Sequence, residues 1–169
     1  GPPAIIDHGY HLTSIVLFFM GPLERICAMS GEGDATAGQI VWQHTCGAYG
    51  SWEIVTAPEL RIRTRYYPED EWLEVTGSRG IVWVTHCAGD LLGEAPVILY
   101  RDGETRRFHD MQTGWETSFV RGAHEFCRAV VDGTQPEMEA GQARHALAFS
   151  LAAIRSARER REVQLDELL

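Results

Sequence analysis

The 169-residue chain is long enough for one domain with a substantial core. Its 44% hydrophobic and 23% charged residues are the proportions of a globular protein. A net charge of −9, from 24 acidic against 15 basic residues, argues against nucleic acid and against an anionic membrane surface as partners, because both need a basic face.

Gly1-Pro2-Pro3 has the look of a scar left by tag removal and is set aside. Residues 4–169 are expected to form a single domain. From about Ile5 to Phe19 the periodicity predicts a helix, stopped by Gly21-Pro22. Its apolar run from Leu12 to Met20 is too short to span a bilayer and lacks the basic start and cleavage site of a secretory signal. A reducing cytoplasm is therefore the expected location.

Strand-like segments follow: Glu24–Met29, Gln39–Thr45, Gly50–Thr56 and Leu60–Tyr67. The last alternates Arg61, Arg63 and Arg65 against Ile62, Thr64 and Tyr66, with "EWLEVTG" as its expected hairpin partner. Ile81–His86 is β-branched and aromatic, which suits a central strand. "VILYRDGETRRFH" predicts a hairpin turning at Asp102-Gly103.

The last third predicts two helices. The first places Trp115, Phe119, Phe126 and Val130 near one face and stops at Gly133. The second spans Gln135–Arg161, with Ala143, Leu147, Leu151 and Ile154 as its apolar stripe. The sum is an α+β fold: an open, mainly antiparallel sheet with helices packed on one face. Its other face would carry apolar residues in water, which predicts self-association through the sheet or cover by another domain.

Asp7 and His11 are the first chemical candidates. Four residues apart on a helix, their side chains meet on one face. A carboxylate there orients the imidazole and raises its affinity for a proton near neutral pH. Equally, Asp7 can serve the helix dipole while His11 packs. Gly9 between them costs helix stability, which implies a close approach to the backbone. With His8 the pair becomes a partial metal set, but no distant third ligand is singled out, and no metal is expected.

Arg61, Arg63 and Arg65 could line an anion site, or form a solvated strand face paired with Glu71 or Glu74. Cys27, Cys46, Cys87 and Cys127 form no CxxC pair, so buried core thiols are expected rather than zinc or redox chemistry. No GxGxxG, Walker or GxSxG loop occurs.

Several pieces together carry a resemblance. "DHGYHLTSIVLFFMG", "EVTGSRGIVWV" and the closing stretch from "FVRGAHEFCRAVVDGTQP" to "AIRSARERREVQL" fall in the order seen in the glucose–fructose oxidoreductase / inositol dehydrogenase / rhizopine catabolism (Gfo/Idh/MocA) family. The chain resembles its C-terminal domain over nearly its whole length. That family has an N-terminal Rossmann domain, a C-terminal domain with an open sheet that commonly forms the oligomer interface, and a catalytic Lys, Asp and His. Asp7 and His11 match the Asp and His. By resemblance, His11 contacts the hydroxyl being oxidised and moves its proton, while Asp7 orients it or helps bind substrate.

There are departures. The sequence contains no Lys at all, no Rossmann fingerprint, and Thr13 and Ser14 where the family often places a further Asp. The resemblance therefore implies one half of an NAD- or NADP-dependent oxidoreductase acting on a sugar or polyol-like substrate, with the cofactor held by the Rossmann domain and none bound by this chain alone. A homo-oligomer through the open sheet face is the implied assembly, and the chain by itself is expected to be inactive. A non-catalytic assembly or ligand-binding module is the alternative, with a metal-dependent lyase or isomerase built on Asp7, His8 and His11 behind it.

Overall fold

A computed structural model describes residues 4–7, 9–31, 34–55, 57, 59–62, 71–85 and 93–169, with the backbone alone at 4, 7, 31 and 34–37. The chain divides into two units: Gly1–Ala57 together with Gln135–Leu169, and Pro58–Thr134. Each has a four-stranded sheet in which every pairing is antiparallel. The expected α+β class with open antiparallel sheets holds. The strands, however, divide between two sheets instead of running through one.

In the first unit the chain order is α1 (Ala4–Asp7), α2 (Gly9–Met20), β1 (Leu23–Gly31), β2 (Asp34–His44) and β3 (Tyr49–Ile54). The segment resumes later with α4 (Ala140–Glu159), β8 (Val163–Gln164) and a 3₁₀ turn, Leu165–Glu167. The sheet order is β3-β2-β1-β8. Alternation along β1 and β2 sends Ile26, Ala28, Ile40 and Trp42 inward, where they are buried, and leaves Cys27, Met29 and Val41 exposed on the opposite face. The expected uncovered face is thus present, although Arg25, Gln43 and Glu53 make it more polar than the strand composition suggests.

α4 packs on the inward face through small side chains: Ala146, Ala152, Ala153 and Ser156, with Phe149 the one large member. Phe149 meets Trp42 edge-on at 5.4 Å. The expected stripe of Ala143, Leu147, Leu151 and Ile154 is not the buried one, since Leu147 and Leu151 are 50% and 42% exposed. An Ala-rich helix offers more than one face at helical spacing, and close approach to a sheet selects the face with the smallest side chains. Ser156 makes that approach specific: its hydroxyl accepts the Ala28 N–H at 2.9 Å and donates to the Arg161 carbonyl at 2.5 Å. The Ala28 amide lies on the edge of β1 beyond its two pairs with β8, so the helix side chain satisfies it instead of a strand.

Gly50 has a specific reason to be glycine. It lies opposite Trp42, and the indole covers it so closely that a Cβ would sit 2.9 Å from Nε1 and closer still to the ring carbons.

The second unit holds β4 (Leu73–Gly77), β5 (Gly80–Val84), β6 (Val97–Arg101), β7 (Glu104–Phe108) and α3 (Trp115–Asp132). β6 and β7 form the expected hairpin, with Asp102 and Gly103 both at positive φ (53° and 85°), as a primed turn requires. Within "EWLEVTG", Leu73–Gly77 pairs with β5 across the two-residue turn Ser78-Arg79. Of the expected strand Leu60–Tyr67, Leu60, Arg61 and Ile62 have no regular structure, and the remainder lies outside the described residues. α3 stops at Gly133 in the left-handed conformation, as its sequence predicts. Its expected apolar face does not form a core: Phe119, Phe126 and Val130 are exposed, and Ala129 is the buried residue.

Candidate functional site

The segment expected as one helix from Ile5 is two. Asp7 ends α1, and Gly9-Tyr10-His11 opens α2, with His8 outside the described residues. The Asp7 side chain is likewise outside them, so the pairing of carboxylate and imidazole stays an expectation. α2 seats itself through Gly9, Thr13 and Leu17, four residues apart and all buried. Thr13 satisfies its hydroxyl within the helix by donating to the Gly9 carbonyl at 2.7 Å. That seating turns His11 outward, where it is exposed beside Tyr10, the two ring centroids 4.2 Å apart. An exposed imidazole at the start of a well-packed helix can meet a ligand and exchange a proton with it.

The glycine between them is explained by packing. A Cβ at Gly9 would meet Ile5, Trp52 and Ser150 side-chain atoms, each at 3.3 Å. The close approach inferred from the sequence is thus made by the core. Ser150 Oγ is buried there with no hydrogen-bond partner among the described residues.

The other candidates are described only in part. Arg61 is exposed on irregular chain, and Arg63 and Arg65 lie outside the described residues. Glu74 accepts the Trp83 Nε1–H at 2.6 Å and the Thr76 hydroxyl at 3.1 Å. Cys27, Cys46 and Cys127 are exposed, correcting the expectation of buried thiols, and Cys87 is outside the described residues. Cys27 sits on the outward face of β1 by strand alternation, which composition alone does not reveal. No group of three His, Cys, Asp or Glu among the described residues could hold a metal; of the Asp7–His8–His11 set, His8 and the Asp7 side chain lie outside them. A concavity along α3, lined by Arg121, His124, Glu125, Arg128 and Asp132, includes neither Asp7 nor His11.

Two titratable clusters were not legible in the sequence. Burial, and secondarily the field of His44, hold His145 below the ordinary histidine value of 6.5. At the end of α4, Arg161 binds both carboxylate oxygens of Glu167 at 3.0 and 2.8 Å, and Arg155 and Glu159 complete an exposed network. The Arg161 guanidinium holds the Glu167 carboxyl down to about 2. These residues tie the last turn to α4; no substrate-like geometry accompanies them.

A dinucleotide cofactor needs a Gly-rich strand-to-helix loop whose peptide N–H groups cradle its phosphates. The described β7-to-α3 connection, His109–Gly114, has a single glycine, and β7 belongs to an antiparallel sheet. This connection does not fit a nicotinamide dinucleotide bound in that way.

Solved structures share the fold. An oxidoreductase from Agrobacterium radiobacter, in complex with NAD+, L-tartaric acid and magnesium, superimposes over 98% of this chain and 50% of its own, with a TM-score of 0.75 at 16% identity. An oxidoreductase domain protein from Kribbella flavida gives 0.72 at 16% identity over 96% of this chain and 51% of its own. The WlbA dehydrogenase from Bordetella pertussis, in complex with NADH and UDP-GlcNAcA, gives 0.64 at 18% identity over 96% and 44%. The chain therefore spans about half the length of the oxidoreductases it matches. No protein-family model matches the chain, and no curated protein matches it. No described helix is long and apolar enough to cross a membrane.

Proposed function

We propose that this chain is the C-terminal, substrate-binding and oligomerisation half of an oxidoreductase of the Gfo/Idh/MocA type. The observation that carries the proposal is coverage: nearly the whole chain superimposes on half of NAD-complexed oxidoreductases. In this division of labour the other half binds NAD or NADP, the group that accepts or supplies the hydride.

His11, exposed at the start of α2, then takes the proton of the substrate hydroxyl. Asp7, at the end of α1, orients the imidazole or binds a neighbouring hydroxyl. The substrate proposed is a sugar or polyol-like alcohol. Tartrate and a sugar nucleotide in two of the structural neighbours supply precedents for hydroxyl-rich ligands. The uncovered sheet face is the proposed subunit interface, and the cytoplasm the proposed compartment.

The test has two arms. Titrating the chain with NADH, followed by nicotinamide fluorescence, should show no saturable binding; micromolar binding would refute the division of labour. In the full-length protein, His11→Asn should lower turnover about 10²–10⁴-fold, the usual contribution of a general base. An unchanged rate would remove His11 from the mechanism.

A further inference from the structure

The short connection from α2 to β1 has no regular structure, so its backbone polar groups must find partners elsewhere. They do, one after another. The Met20 carbonyl faces Cys46 Sγ at 3.6 Å, and the Pro22 carbonyl accepts the Thr45 N–H at 3.0 Å. The Gly21 N–H donates to the Leu17 carbonyl at 2.8 Å, and the other two groups go to histidines on different elements. The Gly21 carbonyl is 2.9 Å from His44 Nδ1, at the end of β2. The Leu23 N–H donates to His145 Nε2, on α4, at 2.9 Å.

Chemistry fixes the state of both rings. Indole Nε1 can only donate, so in the 3.1 Å contact from Trp42 Nε1 to His44 Nε2 the histidine accepts. A carbonyl can only accept, so His44 Nδ1 carries the hydrogen given to Gly21. His44 is thus a neutral ring with both nitrogens used, and it is 1% exposed. His145 likewise presents an unprotonated Nε2 to an amide hydrogen. A proton on either Nε2 would set N–H against N–H.

We propose that His145 is a proton-sensitive staple that fastens the α2–β1 connection, and α2 with it, only while its ring is neutral, beside a His44 Nδ1–H bond to Gly21 that does not depend on Nε2. Four elements meet there: the end of α2, β1, β2 and α4. On α2 and its connection no ionisable side chain faces the rings. On β1, Glu24 and Arg25 are exposed, and Arg25 turns to Gln43 and Glu162. On β2 and its following turn the titratable groups are His44 and Cys46; on α4 His145, with Arg144 exposed. Among the described residues, burial and His44 lower the proton affinity of His145, and the Leu23 contact opposes them.

The sign follows from the proton count. In the unfolded chain His145 binds its proton near 6.5, and in the folded chain below that. The unfolded state holds more protons in that window, so stability falls as pH drops through 6.5. The Leu23 bond does not reverse this, because its amide hydrogen points into the lone pair that a proton would need. The consequence for the proposed site is that acid loosens the helix carrying His11.

The test compares the thermal midpoint of the chain with that of His145→Gln between pH 7.5 and 5.5. Gln Oε1 can accept the Leu23 N–H but does not titrate. The wild-type midpoint should fall by about 4 °C or more and the variant's by less than half as much. Imidazole ¹⁵N spectra of the wild-type chain, which do not depend on the variant folding, should show His44 as the Nδ1–H tautomer. The Leu23 amide signal should move with the protonation of His145. An equal fall in His145→Gln, or a His145 ring that protonates with the Leu23 amide unmoved, would overturn the staple.

Discussion

Gly50→Ala places a methyl group where the Trp42 indole lies. The added Cβ would stand 2.9 Å from Nε1 and nearer still to two ring carbons, well inside van der Waals contact. The ring cannot retreat freely, because its far side packs edge-on against Phe149 and its Nε1–H is held by His44. Overpacking of this kind costs about 1–3 kcal/mol. Loss of the buried indole–imidazole hydrogen bond adds about 1 kcal/mol. Against this, alanine gains about 0.5–1 kcal/mol over glycine within a strand. The net is a destabilisation of about 2 kcal/mol, or a melting midpoint lower by about 4–8 °C for a chain of this length. Urea denaturation followed by far-UV circular dichroism measures it. The same substitution in a Trp42→Phe background should cost about 1 kcal/mol less, because phenylalanine lacks the ring atoms that clash. A Gly50→Ala chain as stable as wild type, or a cost unchanged by Trp42→Phe, would refute the packing argument.

Ser150→Ala should stabilise the chain by about 1 kcal/mol in the same denaturation assay, since it removes a buried hydroxyl with no described partner. Below about pH 4.5 the Glu167 contribution is lost: its carboxyl is held down to about 2 when folded, so the unfolded chain takes up the proton first and stability falls toward pH 2. Arg161→Ala should flatten that acid limb in a pH series of melting midpoints, and added salt should weaken the effect because the network is exposed. Val41→Glu, on the outward sheet face, should convert an oligomer into smaller species in sedimentation velocity while leaving the midpoint within about 1 °C, because Val41 is not in the core.

Local chemistry made certain features readable in one dimension. Gly21-Pro22 stops α2, Gly133 stops α3, and Asp102-Gly103 turns a hairpin, because each needs a backbone conformation that few residues adopt. Strand alternation likewise separates Ile26, Ala28, Ile40 and Trp42 from Cys27, Met29 and Val41. The order of these pieces carries the resemblance to oxidoreductases, and the shared fold agrees with it.

Other features depend on what lies across the fold. Helical spacing in α4 permits Leu147 and Leu151 as the buried stripe, but the sheet accepts Ala146, Ala153 and Ser156, because only small side chains let the backbones come close enough for Ser156 to reach Ala28. Gly9 reads as room for a ligand until Ile5, Trp52 and Ser150 are seen to fill it. His44 and His145, 101 positions apart, carry no motif; their roles arise because the irregular turn at Gly21–Leu23 needs partners and the ends of β2 and α4 are what lie nearest. Asp7 and His11 were marked by spacing. The tertiary structure adds that the helix bearing His11 is seated by its opposite face, which leaves the imidazole outward. Sequence determines where the backbone must turn and which residue types alternate; tertiary packing decides which of several permissible faces is buried, because only there do volumes and unpaired polar groups have to match.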